Sequence, residues 1–174
     1  PNIRLVGAVN TDTSLHMPDV RAAERTYQLL TQVAGRAGRR AGDAEVIFQT
    51  YKPEHYAIQA AARYDSELFY TQELQYRKRM LYPPYARLIK LTWQHANPAL
   101  CESHARQESQ HIQTLLEPHQ HTTRIIGPSP AFFARVRTMY RWHTIIATTQ
   151  LRMITDTILH QTRAIIDVEP YSLL

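Results

Sequence analysis

The sequence is interrupted at Tyr82-Pro83-Pro84-Tyr85, a segment that neither a helix nor a central β-strand can cross. Proline fixes φ, lacks an amide donor and forces the residue before it into extended backbone, so two prolines in succession end a helix. The 174 residues suffice for one large or two small domains. We therefore predict two domains, residues 1–81 and residues 85–174, that meet at this interruption.

The first predicted domain has the pattern of an α/β segment. Two short apolar runs predict strands, a buried one at residues 3–9 and a second at residues 45–51. Between them, Asp19 is in position to cap a helix that ends near Gly38 or Gly42. A longer helical pattern then covers roughly residues 55–81. Its predicted core residues are Ile58, Ala61, Leu68, Phe69 and Leu74.

The second predicted domain alternates strands and helices. Strands are predicted at 86–94, 124–126, 142–148 and 166–169, and helices at 97–117 and 151–165. A connection rich in proline and arginine separates the two middle strands. The order strand–helix–strand–strand–helix–strand predicts a small α+β sandwich, with two helices on one face of a single sheet.

Residues 32–39, Gln-Val-Ala-Gly-Arg-Ala-Gly-Arg, carry the strongest functional motif. Arg36 and Arg39 each follow a glycine, which lets a ligand approach the backbone closely. Guanidinium groups match phosphate oxygens, and Gln32 can orient a water or a phosphate oxygen. The motif predicts a site that meets charge on a phosphoryl group. A solvated helix end followed by a basic turn explains the same residues equally well.

Several functions lack their characteristic residues. No Walker A sequence and no Asp-Glu pair for Mg²⁺ occur, so this chain alone is not expected to hydrolyse ATP. His111, His119 and His121 have no carboxylate or thiol at ligand spacing, which favours a solvated loop over a metal site. A standalone metabolic enzyme has no supporting residues.

The composition indicates a compartment rather than a reaction. Cys101 is the single cysteine, so no intramolecular disulfide can form, and a reducing cytoplasmic environment is expected. No apolar run approaches the roughly 18 residues of a membrane span, and we expect no membrane partner.

Basic charge is concentrated in residues 122–152, which hold five arginines and no acidic residue. Arg135, Arg137 and Arg141 alternate there with aromatic residues, a combination typical of nucleic-acid binding. We interpret these three arginines as nucleic-acid contacts. The alternative is that they lie on the solvent-exposed face of a strand and bind no ligand. Phe132, Phe133 and Trp142 are instead predicted as core residues. The formal charge of the whole chain is +5.

These features together resemble a known family. The pattern Q-x-x-G-R-x-G-R resembles the sixth motif of superfamily 2 helicases, and the chain as a whole is similar to the primosomal protein N′ family of bacterial replication-restart helicases. The matching segments are Asn10-Thr11-Asp12, the run from Pro18 to Arg25, residues 45–50, Pro53-Glu54-His55, Tyr82-Pro83-Pro84-Tyr85, Gly127-Pro128, Tyr140-Arg141-Trp142 and Asp167-Val168-Glu169-Pro170.

The resemblance implies a C-terminal fragment of an ATP-dependent helicase. Residues 1–81 would be the end of a RecA-like second helicase lobe, and residues 85–174 a ribosomal-protein-like C-terminal domain. Gln32, Gly35, Arg36 and Arg39 would contact ATP, with Arg36 and Arg39 acting in catalysis. ATP and Mg²⁺ would be shared with a first lobe outside this chain. Zinc is expected only in the parent protein.

The same resemblance implies an activity and partners. The intact protein would unwind DNA with 3′-to-5′ polarity, recognise stalled or branched forks, and restart replication by primosome assembly in the cytoplasm, at the nucleoid. Forked and single-stranded DNA, single-stranded DNA-binding protein and other primosome proteins would be its partners. The alternative is a non-catalytic nucleic-acid-binding or adaptor module in which the helicase motif is vestigial.

The sequence departs from the family pattern around the tripeptide Tyr140-Arg141-Trp142. His143 stands where the family often has glutamine, and Val136-Arg137-Thr138-Met139 replaces an approach that contains glycine. The family also binds the acidic tail of single-stranded DNA-binding protein, but the match around Arg152 is poor, so no residue is assigned to a pocket for that tail.

Overall fold

The computed structural model describes residues 5–37 and 45–174. The chain divides into two compact units, Pro1–Tyr76 and Arg77–Leu174. Arg39 and the predicted helix end near Gly38 or Gly42 lie outside the described residues. Within the described ranges, every helix is too short or too polar to cross a membrane.

The first unit is built around one β-α-β crossover. Its elements are β1 (Leu5–Ala8), α1 (Ala22–Ala37), β2 (Glu45–Phe48), α2 (Tyr56–Arg63) and α3 (Ser66–Met80), the last of which continues into the second unit. β1 and β2 pair in parallel, with Leu5 opposite Glu45. Parallel neighbours need a crossover, which α1 supplies. The α/β class is thus observed, while the assignment to a RecA-like lobe stays a prediction.

Helix α1 begins at Ala22, two residues later than a cap at Asp19 predicts, and Asp19 caps the turn that precedes it. The Asp19 carboxylate accepts a hydrogen bond from the amide of Arg21 (2.9 Å) and pairs with the Arg25 guanidinium (3.4 Å). One face of α1 buries Leu30 and Ala34. The Tyr27 ring stacks on Phe69 of α3, with centroids 4.1 Å apart.

The single long helix predicted for residues 55–81 is wrong, because two helices occupy this segment. Tyr64 ends α2 in the left-handed region, with φ of 54°. Asp65 then caps α3, since its side chain accepts a hydrogen bond from the amide of Leu68 (2.8 Å). Capping competes here with continuation of the helix.

The predicted core positions of this segment agree with the structure in part. Ile58, Ala61 and Phe69 are buried, and Leu68 is half-buried. The prediction for Leu74 is wrong: this side chain is 40% exposed.

The second unit confirms the predicted order of strands and helices. Its elements are β3 (Arg87–His95), α4 (Pro98–Leu115), a 3₁₀ turn (Glu117–His119), β4 (Thr123–Val136), β5 (Met139–Thr148), α5 (Leu151–Ile158) and β6 (Ile165–Val168). The strands form one sheet in the order β4-β5-β3-β6, in which β3 is antiparallel to β5 and β6, and β5 is antiparallel to β4. This is the split β-α-β arrangement.

The core of the second unit lies between this sheet and its two helices. β3 supplies Ile89, Leu91 and Trp93, which alternate along the strand and therefore share a face. Residues from both helices complete the cluster, namely Cys101, Ala105 and Ile112 of α4 and Ile154 and Ile158 of α5. The predicted packing of two helices on one face is confirmed.

Two predicted boundaries in this unit are wrong. The predicted connection between the middle strands is itself strand, since β4 runs to Val136 and β5 starts at Met139. Helix α5 ends at Ile158 rather than near residue 165. The sequence between β4 and β5 therefore forms a long hairpin.

Glu108 on α4 ties this helix to the sheet and to the segment before β6. Its carboxylate accepts hydrogen bonds from Trp93 Nε1 (2.9 Å), from the amide of Arg163 (2.9 Å) and from the Thr162 hydroxyl. Burial raises the pKa of Glu108, but these hydrogen bonds outweigh it and hold the pKa below its usual range. The ionised carboxylate is thus the form that the fold stabilises.

We expect Glu108→Gln to destabilise the second unit by about 1.5–3 kcal/mol, the usual contribution of hydrogen bonds to a charged group. Urea unfolding followed by tryptophan fluorescence measures this, because Trp93 and Trp142 both lie in this unit. The difference in unfolding free energy between the wild type and Glu108→Gln should be fully present above the ordinary pKa of glutamate. It should shrink as the pH falls through the lowered pKa of Glu108 in the folded chain. Glu102→Gln, which removes an exposed pair with Arg106, is the matched control. Equal midpoints for the two variants would contradict this role of Glu108.

Candidate functional site

The predicted phosphate motif occupies the end of α1. Gln32 and Arg36 are exposed, Gly35 is half-buried, and Arg39 lies outside the described residues. Arg36 belongs to the last helical turn, where a cation interacts favourably with the carbonyl end of the helix dipole. That end repels phosphate, so any phosphate must be bound by the arginine side chains themselves.

Gly35 leaves open space beside this turn. A Cβ atom built on Gly35 would meet nothing within 4 Å, so packing within the chain does not require glycine there. Among the described residues, none forms an ion pair or a hydrogen bond with the side chain of Arg36. Among the described residues, the motif therefore offers an unpaired guanidinium group on Arg36 and open space beside Gly35.

The second predicted site lies on the β4–β5 hairpin. Val136 is opposite Met139, so Arg137 and Thr138 form a two-residue turn at its tip. β4 is an edge strand of the sheet, and β5 pairs with both β4 and β3. The base of the hairpin is therefore fixed by pairing on both sides of β5, while its tip extends to solvent.

A first irregularity in β4 is centred on Gly127. The pairing register shifts between Ile126 and Ser129, so that Gly127 and Pro128 face the single residue Thr144 of β5. Gly127 has φ of 109°, and a Cβ atom here would lie 2.9 Å from the carbonyl oxygen of His143. Only glycine suits both this conformation and this close approach.

A second irregularity lies nearer the tip. Pro130 pairs with Trp142 and Arg135 with Tyr140, so residues 131–134 face one residue of β5. Phe132 and Phe133 belong to this bulge and are 47% and 55% exposed. Their prediction as core residues is wrong, because the bulge interrupts the strand alternation that would place a ring in the core. Trp142 is half-buried and packs against the core, which agrees with its prediction.

The three predicted arginines surround the tip instead of sharing one face. Arg135 lies opposite Tyr140, with its guanidinium carbon 5.3 Å from the centre of that ring. Arg137 occupies the turn with φ of 57°, a conformation in which glycine is the usual residue. Both side chains are exposed. Arg141 alternates with Tyr140 and Trp142 and so points to the face away from the helices.

Further polar side chains follow Arg141 along that second face of the sheet, where Asp167 of β6 lies opposite Lys90. Arg141 Nε and His143 Nδ1 are buried and have no hydrogen-bond partner within the part of the chain that the structure describes. Burial, with Lys90 and Arg141 nearby, lowers the pKa of His143. Lys90 is buried and its Nζ donates to the carbonyl oxygen of Leu174 (2.8 Å). These orphan polar atoms suit an anion or another hydrogen-bonding group.

Sequence reasoning missed Lys90 and His143. Lys90 stands in the middle of the apolar strand β3, and a charged residue in such a run is the signal that could have directed attention to it. His143 follows Arg141 by two residues, the spacing at which strand residues share a face.

The histidines considered as metal ligands have an ordinary environment. His111 Nε2 lies 3.4 Å from Gln161 Oε1. Within residues 5–37 and 45–174, no cluster of three or more His, Cys, Asp or Glu side chains could hold a metal ion.

Comparison with known proteins identifies the family. The family model described as the primosomal protein N C-terminal domain matches residues 78–170, more than half of the chain. The chain belongs to the primosomal protein N family.

Relatives in this family extend the match to the whole chain. The replication restart protein PriA of Bacillus subtilis is 39% identical over all of this chain and 23% of its own length. That of Synechocystis is 41% identical over 83% of the chain, and that of Treponema pallidum 39% identical over 84%. These alignments cover 17% and 22% of the two relatives. The chain thus spans less than a quarter of the length of its relatives.

We expect Gly127→Ala to destabilise the second unit by about 2 kcal/mol or more, because alanine is strained at this φ and its Cβ collides with backbone. Thermal unfolding followed by tryptophan fluorescence measures the loss. Gly35→Ala is the matched control: its Cβ meets nothing, and in a helix alanine should gain roughly 0.5–1 kcal/mol by circular dichroism. A Gly127→Ala variant as stable as the wild type would contradict the close approach.

Proposed function

We propose that this chain is the part of a replication-restart helicase that completes its ATP site and grips branched DNA. The intact protein would unwind DNA with 3′-to-5′ polarity at stalled forks and promote primosome assembly. The relatives' name, replication restart protein, supports a role in the restart of replication. The observation that carries the DNA-binding half of the proposal is the β4–β5 hairpin, which holds arginines and exposed aromatic rings at its tip.

The charge of the hairpin supports a polyanionic partner. Residues 118–155 contain five arginines and no aspartate or glutamate. Arg135 and Arg137 are exposed near the tip. Each arginine that meets a phosphate releases counterions, which gives sequence-independent affinity that falls with salt.

The backbone conformation of Arg137 also supports DNA binding by the hairpin. A non-glycine residue in the left-handed region costs about 1–2 kcal/mol. Glycine at the tip would avoid this cost, because among the described residues none forms a hydrogen bond or an ion pair with the Arg137 side chain. Strain that persists at an exposed tip is explained if the charged side chain is needed for binding.

The ATP site is proposed as shared between this chain and residues outside it. Gln32, Gly35, Arg36 and Arg39 would approach the phosphates of ATP, which another lobe would hold together with Mg²⁺. An arginine beside a transferred phosphoryl group stabilises the charge of the transition state. The guanidinium of Arg36, which has no partner in the part of the chain that the structure describes, and the open space at Gly35 support this role.

The partners proposed for the intact protein are forked and single-stranded DNA, single-stranded DNA-binding protein and other primosome proteins, all in the cytoplasm. The half-buried side chains of Arg141 and His143 add a place where an anion or another hydrogen-bonding group would satisfy the orphan atoms.

We expect Arg39→Ala, and to a smaller extent Arg36→Ala, to lower the DNA-stimulated ATP hydrolysis of the intact protein by about 10³-fold. Binding to forked DNA should stay within twofold of the wild type, because the hairpin is unchanged. Arg39→Lys keeps the charge without the planar fork and should also lose most of the activity. Normal turnover by Arg39→Ala would exclude the catalytic role and favour a vestigial motif.

We expect the combined replacement of Arg135, Arg137 and Arg141 by alanine to weaken binding to forked DNA and to flatten its salt dependence. Three lost phosphate contacts should reduce the slope of log K against log salt by about 2–3. Fluorescence anisotropy at several salt concentrations measures both quantities.

The control removes the same charge from elsewhere in the second unit. Replacement of Arg124, Arg152 and Arg163 by alanine should change the salt slope much less if the tip is the contact site. Arg137→Gly separates binding from folding, because it should weaken DNA binding while unfolding no earlier than the wild type. Equal salt slopes for the two triple variants would show that net charge alone accounts for binding.

A further inference from the structure

Phe132 and Phe133 form an exposed aromatic pair at the side of the hairpin. Their ring centroids are 5.1 Å apart, and the ring planes are nearly perpendicular at 83°. About half of each side chain faces solvent. Both belong to the bulge in which residues 131–134 face a single residue of β5. A bulge of this kind redirects side chains and recurs next to functional sites.

The neighbouring residues determine which partner suits this pair. Arg135 follows Phe133 by two residues, and Arg137 occupies the tip of the same hairpin. The nearest acidic residues in sequence are Glu117 and Asp156. The surface thus combines aromatic faces with permanent positive charge. Single-stranded nucleic acid has the complementary combination, a π-face on every base and a negative charge on every phosphate.

We propose that Phe132 and Phe133 stack on unpaired nucleobases of DNA, while Arg135 and Arg137 hold the adjacent phosphates. This inference rests on the proposed DNA binding of the hairpin and names the state of the DNA that it contacts. The perpendicular rings present faces in two directions. They therefore suit bases splayed apart in an unpaired strand, and not the parallel bases of a duplex, whose faces already cover one another.

The contact between Arg135 and Tyr140 strengthens this arrangement. The guanidinium group over the Tyr140 ring restricts the side chain of Arg135 on one side of the hairpin. A restricted arginine loses less entropy when it binds a phosphate. Arg135 is thus oriented before DNA arrives, by its pairing opposite Tyr140 and by the contact with that ring.

The test compares Phe132→Leu/Phe133→Leu with the wild type in the complete 174-residue chain. Leucine keeps an apolar side chain but lacks a π-face. Affinity for a dT oligonucleotide and for a fork with single-stranded arms should fall roughly 5- to 150-fold, the range expected for one stacked base. Affinity for blunt duplex should stay within twofold. Phe132→Tyr/Phe133→Tyr should restore binding, because tyrosine keeps the aromatic face.

A second measurement reports stacking directly. A 2-aminopurine base in the single-stranded arm should lose fluorescence when the wild-type chain binds, and lose less with the leucine variant at saturating protein. Tyr51→Leu, which removes another exposed aromatic ring, is the control and should behave like the wild type.

The failure of this inference differs from the failure of the proposed function. Wild-type chain that binds DNA with a steep salt dependence, together with leucine variants that bind unpaired strands equally well, would overturn the stacking role alone. Wild-type chain without salt-dependent DNA binding would overturn both proposals. A change of the leucine variant from dimer to monomer, with unaltered DNA affinity, would assign the pair to self-association and overturn the inference.

Discussion

The hairpin of the second unit depends on the close approach of Gly127 to the backbone of β5. The glycine lets two residues of β4 face Thr144, because no Cβ atom fits beside the carbonyl oxygen of His143. Every residue of β4 beyond this bulge is positioned by it, including the second bulge and the tip. β5 is held against this contact from its other side, since β3 pairs with it from Tyr140 to Thr148. The positions of the arginines and aromatic rings thus follow from one backbone constraint.

Rigidity at the base and exposure at the tip explain how one hairpin can serve both folding and binding. Near the base, Thr144, Ile146 and Thr148 of β5 are fully buried, and Ile146 packs in the core beneath α4 and α5. Near the tip, Arg135, Arg137 and two phenylalanines are exposed. A surface organised before binding retains more of its interaction energy, because little is lost in ordering side chains. The positive φ of Arg137 adds backbone strain at this surface and so lowers the stability of the fold.

Sequence patterns predicted the regular parts of the second unit and failed where edge-strand geometry intervenes. The alternation of β3 and the length of α4 allowed both to be recognised, and the family match confirms the resemblance. Pro128 and Pro130 made β4 resemble a loop. Proline is tolerated here because β4 is an edge strand with bulges and needs fewer ladder donors. Hydrophobicity placed Phe132 and Phe133 in the core, since no periodicity reveals a bulge.

In the first unit, too, local sequence patterns predicted some features, and an unusual backbone conformation was missed. Asp19 predicted the start of α1 to within two residues through its capping chemistry. Tyr64 adopts a left-handed backbone conformation that splits the predicted long helix. Tyrosine rarely adopts this conformation, so the residue type does not predict the break. The motif residues Gln32, Gly35 and Arg36 were found from sequence because their chemistry depends on residue type and spacing.

Hydrogen–deuterium exchange of the chain, free and bound to a fork with single-stranded arms, tests most directly whether the hairpin is the DNA-binding element. Residues 131–134 lie in a gap of the β4–β5 ladder, so their amides should exchange rapidly in the free chain. Binding should slow exchange in residues 131–141 and leave α5 unchanged. Protection confined to other segments, with residues 131–141 exchanging at the same rate in both states, would contradict the account.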